Sequence, residues 1–145
     1  MRPINVKRVV LGGVVAAVVV NAAEGLFALL MKSEWEAAIR RLGLRLEAGP
    51  AAYLPFAWSI VIGILTIWLY AAIRPRYGPG VKTAVRAAVA VWAFGSATFA
   101  LAMGSLGLFP ARLMTYVALW SLAEVIVAVV IGAALYREDS RPEIS

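Results

Sequence analysis

Two carboxylates stand where carboxylates are costly: Glu24 and Glu124 each lie inside a long run of apolar residues. An acid at the centre of a membrane-spanning helix costs on the order of 2.5–3.5 kcal/mol to insert. Such residues normally face a bundle interior, find partners there and mark function. Asn21 precedes Glu24 by three residues, and Ser121 precedes Glu124 by three. At about 3.6 residues per turn, each pair shares a helix face. The face continues through Ala17 and Gly13 in the first run and through Ala128 and Gly132 in the last. Small residues at this spacing let helices approach closely. Asn21, Glu24, Ser121 and Glu124 are therefore the expected intramembrane polar site.

At about 1.5 Å per residue, Glu24 lies ~10 Å from the end of its run at Met31, and Glu124 ~16 Å from Leu113. If the two helices pack together, the acids share a cavity, and two like charges so close favour sharing one proton. Three uses fit: hydrogen-bonded glue between helices, a proton or cation pathway, and ligand binding. Asn21 and Ser121 suit the first, and Arg112 is a further candidate to neutralise an acid.

The chain has neither cysteine nor histidine. That removes disulfides, thiolate nucleophiles and cysteine metal sites, together with the commonest general base and the usual haem ligand. No catalytic residue, metal or cofactor is expected. Of the 145 residues, 63% are hydrophobic and 15% charged. A soluble domain carries roughly 45–50% apolar and about 25% charged residues, so the excess needs lipid to hide in. The net charge of +6 comes from Lys and Arg at the ends of apolar runs, the placement of a membrane protein. Nucleic-acid binding is not expected.

A spanning helix needs about 20 mainly apolar residues. Four stretches qualify, at about 9–31, 53–73, 85–103 and 113–136. Arg2, Lys7 and Arg8 before the first resemble a secretory signal, and Val20-Asn21-Ala22 would serve as its cleavage site. The run continues to Met31, so a retained helix is expected. Nine Lys and Arg residues fall on one side of the spans: Arg2, Lys7, Arg8, Arg74, Arg76, Lys82, Arg86, Arg137 and Arg141. Five fall on the other: Lys32, Arg40, Arg41, Arg45 and Arg112. The side with nine should be cytoplasmic, which puts both termini there, with a cytoplasmic tail at 137–145.

Between spans one and two, Ser33-Glu34-Trp35-Glu36 reads as a capping box. The helix it would start, about 34–46, carries Trp35, Ile39, Leu42 and Leu46 on one face. Too short and charged to span, it should lie along the outer surface as an amphipathic interfacial helix. Gly49-Pro50 ends it. The aromatics Trp35, Trp58, Trp68, Trp120, Tyr53, Tyr70, Tyr116 and Tyr136 fall largely near span ends, as an interfacial belt would.

The cytoplasmic connection is the most distinctive stretch. Pro75 is expected to stop span two, and Gly78-Pro79-Gly80 to force a tight turn. Arg74, Arg76, Tyr77, Lys82 and Arg86 are expected to meet anionic lipid headgroups or an acidic partner. The spacing is not that of a Walker loop, which argues against nucleotide binding. The run Tyr70-Ala71-Ala72-Ile73-Arg74-Pro75-Arg76-Tyr77-Gly78-Pro79-Gly80, then Lys82-Thr83-Ala84, resembles a stretch of small, uncharacterised four-span bacterial membrane proteins. Phe109-Pro110-Ala111-Arg112 and the glutamate of span four are similar too. The resemblance implies the architecture and attaches no activity.

The expected fold is all-α: a single-domain integral-membrane four-helix bundle with a short interfacial helix after span one. The expected role is a non-catalytic structural or accessory subunit of a bacterial inner-membrane complex or homo-oligomer. A small proton- or cation-coupled transporter or channel using Glu24 and Glu124 is the alternative, and four spans would then require at least a dimer.

Overall fold

A computed structural model describes residues 4–44 and 49–137. It is all-helical among those residues. The helices are α1 (Val6–Leu30), α2 (Lys32–Arg41), α3 (Leu54–Tyr77, entered through a 3₁₀ turn at Pro50–Tyr53), α4 (Val81–Ser105) and α5 (Ala111–Ala134). Every helix but α2 is long and apolar enough to cross a membrane. The four spans start or end a few residues beyond their apolar runs. The basic residues at their ends, from Lys7-Arg8 to Arg74–Arg76 and Lys82, continue the helical ladder instead of breaking it.

Membrane helices gain little from hiding apolar surface from one another, so close packing of small residues holds them together. That describes this interior. Helix α1 packs between α3 and α5, and α4 packs against α5 and α3. A Cβ on Gly12 would sit 2.5 Å from the carbonyl oxygen of Gly132, so only glycine permits the α1–α5 approach. Gly13 meets α3 at Ile64 in the same way, and Gly63 meets α1 at Gly13. Buried alanines fill much of the remaining space, with Ile67 fully enclosed among them.

Local chemistry moves three expected boundaries. Pro75 lies inside α3, and the helix stops at Gly78, whose φ of 80° ends it. A proline in the last turn deletes one backbone bond without blocking the turn. The Gly78 N–H still bonds the Arg74 carbonyl at 2.8 Å. Gly80, with φ 116°, completes the expected tight turn.

Ser33 is not an N-cap. Met31 breaks the helix while leaving its ladder almost continuous, with Met31 N–H on the Phe27 carbonyl and Trp35 N–H on the Met31 carbonyl. Helix α2 therefore begins at Lys32, and no side chain caps it. It closes at Arg41, followed by Gly43 at φ 67°, short of residue 46. Arg45 and Leu46 lie outside the described residues. The apolar face is used inward: Ala38 is buried, and Trp35 meets Phe109 edge-on at 5.3 Å.

Helix α4 holds a feature with no signal in the apolar pattern, a π turn at Ala93–Ala97. The Thr98 hydroxyl, just past it, donates back to the Ala93 carbonyl at 2.7 Å, and the Trp92 indole N–H donates to the Ala118 carbonyl of α5 at 2.9 Å. The short connection 106–110 makes α4 and α5 antiparallel neighbours, as expected.

Candidate functional site

The register of α1 against α5 decides what the two acids meet. Gly12 faces Gly132 near one end, and Phe27 stacks on Trp120 near the other, with ring centroids 5.3 Å apart. Two antiparallel helices pinned at these points hold Glu24 and Glu124 at the same level. The Glu124 carboxyl interacts with that of Glu24 and lies beside the Trp120 indole.

Their exposures differ. Glu124 is 7% exposed, whereas Glu24 is exposed on the outside of the bundle. Glu124 Oε2 and Trp120 Nε1 are both buried without an aligned hydrogen bond. A buried acceptor left in this state is costly, and in a native structure it calls for an explanation.

The four-residue polar site divides. Asn21 donates to Ser59 of α3 at 2.7 Å and to the Ala17 carbonyl at 2.9 Å. Ser121 is buried and donates to the Ala118 carbonyl at 3.1 Å, one turn back on its own helix. Neither bond reaches a carboxylate. Residues three apart on a helix diverge by about 60°. Because α1 is wedged between two neighbours, that angle gives Asn21 to α3 and Glu24 to α5. Arg112 donates to the Tyr116 hydroxyl at 3.1 Å and is exposed, so it neutralises neither acid in this structure.

One turn beyond the acids, toward the α2 end, an open groove of about 200 Å³ is lined by Phe27, Leu30, Met31, Tyr116, Leu119 and Trp120. The acids do not line it, so the expected common cavity is a carboxylate pair beside an apolar groove. A larger recess of about 420 Å³ lies under α2, between Ala38, Arg41 and Leu42 and the 107–111 connection. Among the described residues, no group of three or more potential metal ligands comes together.

At the opposite end of the bundle, two of the basic residues lie over tyrosine rings. The Arg74 guanidinium lies over the Tyr136 ring at 5.4 Å, and that of Arg86 over Tyr77 at 4.7 Å. Arg76 and Lys82 are exposed. Tyr70 and Tyr136 are not belt residues but buried, edge to face at 6.0 Å. Tyr70 accepts from the Gly80 N–H at 3.2 Å, and Tyr136 from the Asn5 N–H at 3.4 Å. The buried Thr83 donates to the Gly78 carbonyl at 2.7 Å. These bonds tie the turn and the start of α1 to the bundle. Tyr53, Trp58 and Trp68 are exposed.

No known family model, curated protein or solved structure matches this chain.

Proposed function

We propose that this membrane protein holds and exchanges a cation, a proton or something larger, at the Glu24–Glu124 pair within the bilayer. One observation carries the reading: two acids from different spans face each other, one enclosed and the other open to the outside of the bundle. A carboxylate pair at such depth favours sharing a proton or taking up a positive charge. The open side gives that charge a way in and out. The described chain encloses no pore at the pair, so passage across the membrane requires a second copy or another subunit to complete the path.

Flux measurements in proteoliposomes test this. Glu24→Gln and Glu124→Gln should each abolish cation- or proton-driven flux while leaving the folded protein intact by circular dichroism. Wild-type flux no greater than that of empty liposomes would remove the transport reading.

An accessory-subunit role is the second reading, and a specific observation favours it. Ala22, Gly25 and Ala28 flank Glu24 and are exposed with it, and a Cβ on Gly25 would meet nothing. Small residues around an outward-facing acid make a surface that a partner helix can cover. A stable partner in mild detergent would favour this role. A bacterial inner membrane, cytoplasmic termini and anionic headgroups around Arg76 and Lys82 complete the proposal, supported by the charge asymmetry across the spans.

A further inference from the structure

Charge at the pair and shape beside it both restrict what cation fits. Glu124 is more than nine-tenths buried, and its Oε2 faces no hydrogen-bond donor of the chain in aligned geometry. Its neighbours are the Glu24 carboxyl and the Trp120 indole, so the four oxygens of the pair face a single nearby N–H and leave acceptor capacity for a positive charge. Hard metal ions need about six oxygen ligands. The nearby neutral polar side chains are turned elsewhere, Asn21 toward Ser59 and Ala17 and Ser121 toward Ala118, and neither bonds to a carboxylate. The pair itself offers four oxygens, so a hard ion would have to carry part of its water shell into the bilayer interior, which is costly.

What adjoins the pair is apolar and aromatic. The groove begins at Phe27 and Trp120, one turn from Glu24 and Glu124 respectively, and continues through Tyr116 to Leu30, Met31 and Leu119. Aromatic faces attract ammonium groups, and quaternary ones bind well in such surroundings. A groove of about 200 Å³ holds roughly the volume of seven waters at ~30 Å³ each. That limits the enclosed part of a guest to a small ring or a branched alkyl group.

A second copy of this chain cannot supply the charge at this depth. The interiors of the four spans contain no Lys or Arg, and the basic residues lie at the helix ends.

We propose that the α1–α5 groove and the Glu24–Glu124 pair form one binding site for a monovalent organic ammonium ion with an apolar body. The ammonium group sits at the carboxylates, and the apolar body lies along Phe27, Leu119 and Trp120. The proposal rests on the cation reading above and adds the class of cation.

The probe is benzyltrimethylammonium, measured by equilibrium dialysis against the full chain in lipid nanodiscs. Neopentylbenzene, its uncharged isostere, is the competitor. Saturable binding is expected, with at least a tenfold loss of affinity in Glu124→Gln and in Glu24→Gln. Glu24 is exposed, so its variant carries the test should Glu124→Gln fail to fold. Phe27→Leu should lose about three- to tenfold, the range of a partly desolvated cation–π contact. Phe94→Ala, at an 88% exposed position of α4, should bind as wild type does.

Binding that survives both glutamine variants, equal competition by the uncharged isostere, or no saturable binding overturns the proposal. So does a co-purifying polypeptide that photocrosslinks at position 28, which assigns this face to a partner helix. Infrared spectroscopy of the same samples separates the two levels. A carboxyl band that exchanges with bulk protons and disappears in Glu124→Gln keeps the cation reading even when the ammonium probe fails. Loss of both signals removes both.

Discussion

Gly12 and Gly132 meet backbone to backbone, each placing its carbonyl oxygen where the other would carry a Cβ. This contact fixes the distance between α1 and α5, and with it the level at which Glu24 meets Glu124. Gly132→Leu should therefore destabilise the bundle by about 1–3 kcal/mol, the usual cost of overpacking. Gly25→Ala should be neutral or stabilising by up to about 1 kcal/mol, since that position opens onto free space and alanine is the better helix former. Unfolding in mixed micelles measures both.

The Asn21–Ser59 bond joins α1 to α3 at 2.7 Å. Hydrogen bonds between membrane helices average about 0.6 kcal/mol by double-mutant cycles. A cycle of Asn21→Ala and Ser59→Ala should give a coupling energy of that order. Asn21→Ala should leave the affinity of the carboxylate pair for a cation within twofold. A larger effect would mean that Asn21 and Glu24 act together after all.

The basic turn depends on Gly80, whose φ of 116° and ψ of −174° fall in a region essentially confined to glycine. Gly80→Ala should cost about 1–3 kcal/mol. It should also weaken the Tyr70 bond that the Gly80 N–H makes. Pro75→Ala should be neutral or slightly stabilising, because α3 already runs through that position. Thermal unfolding of the two variants gives the ranking.

Cation binding at the pair should weaken as pH falls. Protonation neutralises a carboxylate, and a neutral pair holds a cation less well, so bound protons and bound cation compete. Plotting apparent cation affinity against pH should give a slope of the sign expected for proton release on binding. Glu24→Gln should reduce that slope. A pH-independent affinity would sever the cation from the carboxylates.

Four spans were legible because apolar length is a property of composition, and composition survives folding unchanged. The acids were legible for a related reason, since a carboxylate among valines and alanines is conspicuous wherever the helices point. What they would meet was only half legible. Asn21 and Glu24 share a face when one neighbour is considered and separate when there are two, and only the packing reveals two. Tyr70 and Tyr136 had the position of belt residues. Their burial follows from Gly80 and Asn5, whose backbone N–H groups they satisfy across 10 and 131 positions of sequence. The Met31 break was hidden because Ser33 and Glu36 have the spacing of a capping box, and a ladder that barely interrupts leaves nothing to cap. The π turn left no mark in hydropathy at all.

That π turn has a consequence for α4 as a whole. A one-residue bulge shifts the phase of everything beyond it by about a quarter turn or more. The half before it buries Thr83, Ala84, Ala87 and Ala88, while the half after it buries only Ala100. The span therefore presents two differently phased faces in series, with Trp92 anchored to α5 at the joint. A change of one residue at Gly95 would be absorbed or exposed at that joint. The turn at Gly78–Gly80 and the connection at 106–110 would keep their settings.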